Sequence, residues 1–501
     1  MIRTSTPSRF VSLTSVIAGL MTGAFVQNAH AATYQVGPGK PYPQLSAVAS
    51  VVKPGDIVEV DGDATYSSVS FSKPGTAQAK ITIRGVTKNG KRPIVRGGTN
   101  TIALNGSHYV IEGFDISGGS SRCVFHHADD ITLRDSVVHD CPAQGILGAD
   151  TGSGSLTLER VEVYRAGEGT RKHQIYVATD EDMYPNAVFR MQFCYVHDDN
   201  GGNNVKSRAG RNEIYFNWIE GAMYHELELI GSEEFAEGVL REDSDVVGNV
   251  VRKTRGSFAV RIGGDGSGET NGRYRFVNNT FVANGATKSI FRLFDGLESV
   301  EMHNNVFSGA GGSSFTLMRD SEAQWAKGHA IIGGSNNWVP SGVQTPASWM
   351  NTRSGSNPGF VNANAFDFAP QMGSALENAG NSTPMSPSEA PFPNPLGSPQ
   401  FVPPSRKIEM PRMRVNAGVI DIGAIEVASM KSPVQKGFQE ELQQEEPPEA
   451  EGDVETAEEE LTAEGMTCSV TRNGSPTYAW AGLFGLGAVV GMVRRSKRRR
   501  G

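Results

Sequence analysis

NNVKSRAGRNEIYFNWIEGAMYHELELI, residues Asn203–Ile230, contains two copies of one short strand pattern with a different strand between them. The two copies are VKSR (205–208) and LELI (227–230), and the intervening strand is IYFNWI (214–219). Successive side chains of a strand point to opposite faces, so each copy presents its charged residues on one side. Stacked copies would therefore form a charged surface.

The intervening strand belongs to a series that recurs along the chain. Its first residues are separated by between 22 and 33 residues, while the pattern itself stays constant. This combination predicts coils with a constant core and loops of changing length. The copies are Ile111-x-x-Phe114-x-Ile116, Leu133-x-x-Ser136-x-Val138, Leu158-x-x-Val161-x-Val163, Met191-x-x-Cys194-x-Val196, Ile214-x-x-Asn217-x-Ile219, Val246-x-x-Asn249-x-Val251, Phe276-x-x-Asn279-x-Phe281, Met302-x-x-Asn305-x-Phe307 and a weaker Gly333-x-x-Asn336-x-Trp338.

Asparagine occupies one position of this pattern in five successive copies. Amides stacked about 4.8 Å apart can hydrogen-bond along the stack, as in stacked parallel strands. We therefore predict an all-β right-handed parallel β-helix, the hand following from the usual chirality of parallel crossovers. A propeller or sandwich would show evenly spaced antiparallel hairpin signals, which this sequence lacks. The asparagines are Asn217, Asn249, Asn279, Asn305 and Asn336.

A second strand type supplies an outward-facing column that is apolar at first and charged from its middle onward. We expect Gln174, Asn204 and Glu226 to flank it on one side and Arg208 on the other, with His173 nearby. The predicted column is Phe125, Leu147, Tyr176, Lys206, Glu228, Arg261 and Arg292.

The first 31 residues predict a secretory signal peptide, since basic residues precede an apolar stretch and Ala29-His30-Ala31 has the A-x-A cleavage pattern. An uncleaved anchor is the alternative. Export permits disulfides, and Cys123 and Cys141 are close enough in sequence to bridge adjacent repeats. Cys194, at an apolar repeat position, is predicted to be a buried thiol. No cysteine spacing suggests zinc.

The C-terminal part has a different composition. We divide the chain into a β-helix (32–345), a closing segment (346–430), an acidic linker (431–466) and a tail (467–501). Residues 440–464 carry 12 acidic and no basic residues, and residues 494–500 carry 6 basic ones. The linker is predicted to be disordered. The remaining body is mildly acidic and gives no electrostatic sign of nucleic-acid binding.

Taken together, the repeats resemble the right-handed parallel β-helix superfamily that includes pectate lyases and related polysaccharide enzymes. VGPGKPYPQL and VVKPGDIVEV are similar to the usual start of such proteins. Asn357–Gly380 and Val419–Val427 resemble the closing segment of surface-anchored bacterial β-helix proteins, and we expect them to cover the open end of the helix. Cys468, a short apolar stretch and the basic cluster resemble a myxobacterial C-terminal sorting signal, which implies processing near Cys468 and attachment to the cell envelope. A single membrane span fits the charges equally well.

The charged column is similar to that of the alginate lyase and chondroitinase-B group. The resemblance implies a calcium site formed by Asn204, Glu226 and Glu228, with Arg261 one coil later. The group's catalytic lysine has no counterpart, because Glu233 stands at its place. Lys206 is the substitute that we predict as base.

The candidate chemistry is β-elimination of an acidic polysaccharide, which requires neutralisation of a uronate and a base. Three other interpretations remain open: ordinary charge pairs on a solvated wall, a glycoside hydrolase that uses Glu226 and Glu228, and a non-catalytic glycan-binding or adhesive surface module. We expect a monomer. The predicted catalytic residues are Lys206, Arg208, Arg261, Tyr176 and His173; the predicted substrate-binding residues are Arg292 and Gln174; and the predicted processing sites are Ala31 and Cys468.

Overall fold

The computed structural model describes residues 31–427, except for 232–241, 266–269, 295, 310–313, 321–329, 393, 396–397 and 417. The predicted signal peptide before Ala31, the acidic linker and the tail with Cys468 lie outside the described residues, and so does Glu233. In the described ranges no helix is long and apolar enough to cross a membrane.

The described chain forms a short α-helix, α1 (Leu45–Ala49), a 3₁₀ turn (Ala363–Ala365) and 38 strands. In chain order the strands are β1 (Thr33–Val36), β2 (Ile57–Asp61), β3 (Thr65–Ser67), β4 (Val69–Phe71), β5 (Ile81–Val86), β6 (Ile94–Arg96), β7 (Asn100–Leu104), β8 (Tyr109–Glu112), β9 (Asp115–Ser117), β10 (Arg122–His126), β11 (Ile131–Arg134), β12 (Val137–Cys141), β13 (Ile146–Gly148), β14 (Leu156–Glu159), β15 (Glu162–Ala166), β16 (Ile175–Ala178), β17 (Phe189–Gln192), β18 (Tyr195–His197), β19 (Val205–Arg208), β20 (Arg211–Tyr215), β21 (Trp218–Glu220), β22 (Leu227–Leu229), β23 (Asp243–Val247), β24 (Val250–Arg252), β25 (Phe258–Ile262), β26 (Arg273–Val277), β27 (Thr280–Ala283), β28 (Ser289–Leu293), β29 (Ser299–His303), β30 (Val306–Gly309), β31 (Thr316–Asp320), β32 (Ile331–Ser335), β33 (Trp338–Pro340), β34 (Arg353–Gly355), β35 (Phe360–Asn362), β36 (Asp367–Pro370), β37 (Phe401–Val402) and β38 (Arg412–Met413).

These strands build three long sheets in which each coil contributes one strand to each sheet. Sheet A runs β1-β2-β5-β8-β11-β14-β17-β20-β23-β26-β29-β32, and sheet B runs β3-β6-β9-β12-β15-β18-β21-β24-β27-β30-β33-β34. Sheet C runs β4-β7-β10-β13-β16-β19-β22-β25-β28-β31. Neighbouring strands are parallel throughout the three sheets. Among the described strands, β35–β36 and β37–β38 are the antiparallel pairs, and a few isolated antiparallel bridges lie outside the strands. The prediction of an all-β right-handed parallel β-helix is confirmed.

The core is a stack of apolar side chains that repeat in register. Ile214, Val246, Phe276 and Met302 occupy equivalent positions on neighbouring strands of sheet A, and all four are fully buried. Each coil thus removes its apolar row from water only by contact with its neighbours. This stacking is the reason why loop length varies while the strand pattern does not.

Buried asparagines form the predicted ladder, with one correction. The side chain of Asn217 donates to Asn249 Oδ1 at 2.9 Å, and the same contact repeats through Asn279 and Asn305. The last member is Asn337, to which Asn305 donates at 3.1 Å, so Asn336 was the wrong choice. Gly334, and not Gly333, pairs with Met302, which shifts the final copy by one residue.

Cys123 and Cys141 form a disulfide that links β10 to the end of β12 in the next coil. Cys194 is a buried free thiol, as predicted. Burial raises the pKa of this thiol to about 12, so it stays protonated.

The parts of the closing segment that were expected to cover the end, Asn357–Gly380 and Val419–Val427, lie along the side of the β-helix, which corrects that expectation. Phe360, Phe368 and Leu376 pack on the outer face of sheet B, against side chains that include Trp218 and Trp338. At the end of the helix, β34 extends sheet B, and Trp349 stacks on the core residue Phe307 with ring centroids 6.1 Å apart. Packing of the segment along the side removes the outer apolar face of sheet B from water.

Candidate active site on sheet C

The predicted column lies in register on the outer face of sheet C. Inward residues such as Val205, Leu227 and Val260 are fully buried, so the residue that follows each of them points outward. Strand pairing places β31 one coil beyond the predicted column, which adds Arg319. The column in the charged part reads Tyr176, Lys206, Glu228, Arg261, Arg292 and Arg319.

Lys206 stands at the centre of the column, between aromatic and acidic groups. Its Nζ lies 3.9 Å from Glu228 Oε2, 3.9 Å from Asp265 Oδ2 and 5.1 Å from the centre of the Tyr176 ring. Its side chain is only 14% exposed. Burial lowers the pKa of Lys206, the nearby Arg208 and Arg261 lower it further, and Glu228 and Asp265 oppose this shift. A lowered pKa increases the fraction of neutral lysine that can accept a proton.

Arg208 supports the site from below its surface. Its side chain is 1% exposed, and its three nitrogens are bound to Tyr176 OH at 3.0 Å, Gly231 O at 2.8 Å and Asp265 Oδ2 at 2.5 Å. The predicted catalytic role is therefore replaced by a positioning role. Arg208 holds both the Tyr176 hydroxyl and the Asp265 carboxylate near Lys206.

The arginines after Glu228 lie against aromatic rings. Arg261 binds Glu228 Oε1 at 3.0 Å, and its guanidinium carbon lies 3.8 Å from the centre of the Phe294 ring. The guanidinium carbon of Arg292 lies 4.5 Å from the Phe258 ring centre and 4.9 Å from that of Phe294. Burial lowers the pKa of Arg292, and the charge of Arg261 adds to the shift. Together with Arg319, these arginines place three cations in successive coils, which form a surface suited to anions.

His173 lies beneath the column, in an environment that does not fit its predicted catalytic role. It is 3% exposed, and its Nδ1 accepts the backbone N–H of Asn203 at 3.0 Å. Burial, and after it the charges of Lys206 and Arg208, lower the pKa of His173 to about 3. A group with this pKa is a weak base at neutral pH. His173 instead orders the turn before β19.

Gln174, Asn204 and Glu226 form a buried ladder inside the turn between sheets B and C. Gln174 donates to Asn204 Oδ1 at 2.8 Å, and Asn204 donates to Glu226 Oε2 at 2.6 Å. All three side chains are fully buried. The prediction that Gln174 faces substrate is therefore wrong.

The same geometry contradicts the predicted calcium site. Both oxygens of Glu226 accept the backbone N–H of Ala222, and the buried Lys253 Nζ lies 3.3 Å from Oε1. Glu228 is on the outer face, where it binds Arg261 and the Asn203 side chain. Asn204 and Glu226 thus point into the turn, whereas Glu228 points outward. Each carboxylate is already paired with a cationic side chain, so the three residues do not fit a calcium site. In the described part of the chain, no group of three or more His, Cys, Asp and Glu side chains is placed to hold a metal ion.

Sequence reasoning missed several residues that shape the site. Asn203 donates its side-chain amide to Glu228, and its Oδ1 accepts His225 Nδ1 at 3.2 Å. His225 is fully buried, and its Nε2 lies 3.4 Å from Arg292 Nη1. Asp265 follows β25 in a loop, where strand periodicity gives no signal. Arg319, in TLMRD, follows the outward pattern of the earlier strands and could have been found.

No protein-family model matches the sequence, and no curated protein matches it. Among solved structures, the chain is similar to the pectate lyase Pel9A at 13% identity and a TM-score of 0.46, over 79% of this chain and 97% of that one. It is similar to an alginate lyase from Paenibacillus sp. str. FPU-7 at 17% identity and a TM-score of 0.37, over 57% and 96% of the two chains. A PL6 family polysaccharide lyase from Pseudopedobacter saltans matches at 12% identity and a TM-score of 0.37, over 65% and 92%. These similarities concern the fold, since function depends on the residues of the site.

Proposed function

We propose that this protein is a polysaccharide lyase that cleaves a uronate-containing polysaccharide by β-elimination on the outer face of sheet C. The observation that carries the proposal is the placement of a desolvated lysine, Lys206, one coil before Glu228 and two coils before the first of three successive arginines. Ordinary ladder pairs would alternate in sign, because like charges on neighbouring strands repel. Arg261, Arg292 and Arg319 do not alternate, which favours a site for an anion.

The arginines would lower the cost of removing the proton next to a uronate carboxylate. In β-elimination the C–H bond beside the carboxylate breaks, negative charge develops on that carboxylate, and a double bond forms as the C–O bond to the leaving sugar breaks. Fixed cations stabilise this charge more in the transition state than in the ground state. Arg261 and Arg292 are the nearest arginines to Lys206 along the column.

Lys206 would accept the proton and hold it as an ammonium ion. Its lowered pKa supplies the free lone pair, and Glu228 and Asp265, each 3.9 Å away, stabilise the ammonium that results. The proton can then pass to the oxygen of the leaving sugar, either from Lys206 or from the Tyr176 hydroxyl beside it. A positioned base of this kind contributes roughly 10²–10⁴-fold to the rate.

The test is to incubate the purified protein with alginate, pectate and glycosaminoglycans and to follow the absorbance of the unsaturated product. We expect unsaturated product from at least one substrate and a loss of roughly 100-fold or more in Lys206→Ala. Lys88→Ala is the matched control, because that side chain is 58% exposed and follows β5, several coils before Lys206. Reducing ends without unsaturation would show hydrolysis, and binding without turnover in both variants would show a non-catalytic module.

The carboxylate pair on which the hydrolase interpretation depended is not formed. Glu226 is fully buried beside Lys253, whereas Glu228 faces outward. A hydrolase needs an acid and a second carboxylate on the two sides of one glycosidic bond. The lyase interpretation needs only the lysine and the arginines, which share one face.

We also propose that the protein is exported and tethered to the cell envelope through its tail. The A-x-A pattern before Ala32 and the Cys468 region support this assignment. The Cys123–Cys141 disulfide supports it independently, since such bonds persist in oxidising compartments. N-terminal sequencing of the mature protein should begin at Ala32. An intact N-terminus in the envelope fraction would contradict the cleavage, and recovery in the cytoplasm would contradict export.

A further inference from the structure

The chemistry of the sheet C column changes at Lys206. The three outward residues that precede it are aromatic or aliphatic, and after Glu228 the outward residues of the described strands are all arginines. Strand pairing fixes this order, so the change occurs along the helix axis and not across the face. The residues before Lys206 are Phe125, Leu147 and Tyr176, and those after Glu228 are Arg261, Arg292 and Arg319.

Aromatic side chains hold the arginine half of the column in place. Phe294 lies under both Arg261 and Arg292, at 3.8 and 4.9 Å from their guanidinium carbons. Phe258 lies 4.5 Å from Arg292 and 5.9 Å from Arg319 by the same measure. An aromatic face stabilises a cation without cancelling its charge, unlike a carboxylate. The rings therefore order the three arginine side chains, and Arg261 is in addition paired with Glu228.

Like charges in neighbouring coils are unfavourable on their own. Strands of one sheet are about 4.8 Å apart, so the positive charge of each arginine repels that of the next one. A single small anion would relieve this repulsion at one coil only. A chain with anionic groups at a regular spacing along the helix axis would relieve it at every coil, which is the arrangement that a linear acidic polysaccharide presents.

We infer that the polysaccharide binds with a fixed polarity, with consecutive anionic sugars over Arg261, Arg292 and Arg319 and with sugars that need carry no charge over Tyr176, Leu147 and Phe125. This inference rests on the proposed function, because it takes the bond that is cut to lie at Lys206. The preferred substrate has carboxylate or sulfate groups on successive units on one side of the cut. On the other side, apolar contact replaces charge.

The experiment uses oligomers of one uronate in a series of lengths and the variant Arg319→Ala. In the wild type we expect affinity to rise with length until the arginine run is filled and one bond of the longer oligomers to be cut preferentially. Arg319→Ala should weaken binding of the longer oligomers about 10-fold, the effect of one charged hydrogen bond. It should leave the shortest ones unchanged and move the preferred cut by one unit. Arg319→Lys should restore part of the affinity.

Arg84→Ala is the matched control, because Arg84 is exposed on sheet A and pairs with Glu112. Phe125→Ala should change binding of longer oligomers without changing the salt dependence of affinity, whereas Arg319→Ala should reduce that dependence. Unchanged affinity and an unchanged cutting position in Arg319→Ala would overturn the inference. A parallel series of sulfated oligomers shows whether carboxylate or sulfate is the group that the arginines bind.

Binding is also measured by calorimetry with Lys206→Ala, so that the two proposals can fail separately. Absence of any unsaturated product, together with length-dependent binding that Arg319→Ala weakens, would refute the lyase and retain the polarity. Elimination that proceeds with the same product pattern in the wild type and in Arg319→Ala would retain the lyase and refute the polarity.

Discussion

Among the single residues, Lys206 depends most on its surroundings, because the groups around its side chain set the pKa of its ammonium group. The ammonium form is disfavoured by burial and by two arginines, and it is favoured by Glu228 and Asp265. The two carboxylates therefore keep the pKa from falling further. The acid limb of the pH–rate profile should therefore report the pKa of Lys206.

Elimination should increase with pH as Lys206 loses its proton, and the midpoint of that rise should lie below the ordinary pKa of lysine. Glu228→Gln removes the carboxylate that raises the pKa of Lys206 most, so the midpoint of the variant should move to lower pH. The measurement is kcat/KM against pH for both proteins. Glu213→Gln, in which the lost carboxylate lies on sheet A, should keep the wild-type midpoint. A midpoint that moves upward in Glu228→Gln would contradict the role of Lys206.

Chelation tests the correction of the metal site. Asn204 and Glu226 are occupied by each other and by Lys253, so activity should be unchanged after treatment with EDTA and dialysis. Glu226→Gln should lower stability, because it leaves the buried Lys253 without its carboxylate, while any remaining folded protein stays insensitive to EDTA. Loss of activity on chelation that calcium restores would show that the donors rearrange around the ion.

Strand alternation predicted the residues within strands and failed just outside them. Lys206, Glu228 and Arg261 lie inside β19, β22 and β25, where inward and outward positions alternate. Asn204 and Glu226 each precede the first residue of a strand, and there the chain is still turning. Their side chains point into the turn, where they satisfy backbone groups. Periodicity holds only as far as the extended backbone continues.

At the scale of elements, the buried asparagine ladder depends on the residue before it. Asn278, Asn304 and Asn336 have φ between 51° and 57°, a left-handed conformation that asparagine tolerates well. The next residue of each pair enters the ladder. In SNNWV the first asparagine, Asn336, adopts the left-handed conformation, and the second, Asn337, belongs to the ladder. The prediction of Asn336 is wrong by one residue because the sequence pattern does not distinguish these two roles.

Asn249 is the best position at which to test the ladder. Its Oδ1 accepts the backbone N–H of Asn217 at 2.8 Å and its Nδ2 donates to Ile214 O at 2.8 Å, all fully buried. Asn249→Ala leaves these groups without partners and should cost at least about 2 kcal/mol of the free energy of unfolding, measured by urea denaturation. Asn200→Ala, at an exposed asparagine whose side chain binds only Arg165 O among the described contacts, should change the free energy of unfolding by less than about 0.5 kcal/mol. Equal effects would show that the ladder adds nothing.

At the scale of the whole molecule, the closing segment and the site use different faces. The segment packs on sheets A and B, and the Lys206 column lies on sheet C. Its resemblance to known closing segments predicted that it covers the open end of the helix, whereas it packs along the side. That choice depends on long-range contacts, such as the donation from Asn278 Nδ2 to Asp421 O at 3.0 Å, which no local pattern contains.

Because the closing segment and the Lys206 column lie on different sheets, a mutation that loosens the segment should leave elimination unchanged. Phe368 is 2% exposed and stacks on Trp218 with ring centroids 5.6 Å apart, so Phe368→Ala should destabilise the segment by about 3 kcal/mol. Limited proteolysis should then cut residues 356–427 sooner, while the elimination rate of the uncut protein stays at the wild-type value. Met385→Ala, at a side chain that is 84% exposed, should leave the proteolysis rate unchanged. If Phe368→Ala instead lowers elimination before any cut occurs, the segment must couple to sheet C through the shared core, because Phe368 packs against Trp218 of sheet B and not against the Lys206 column.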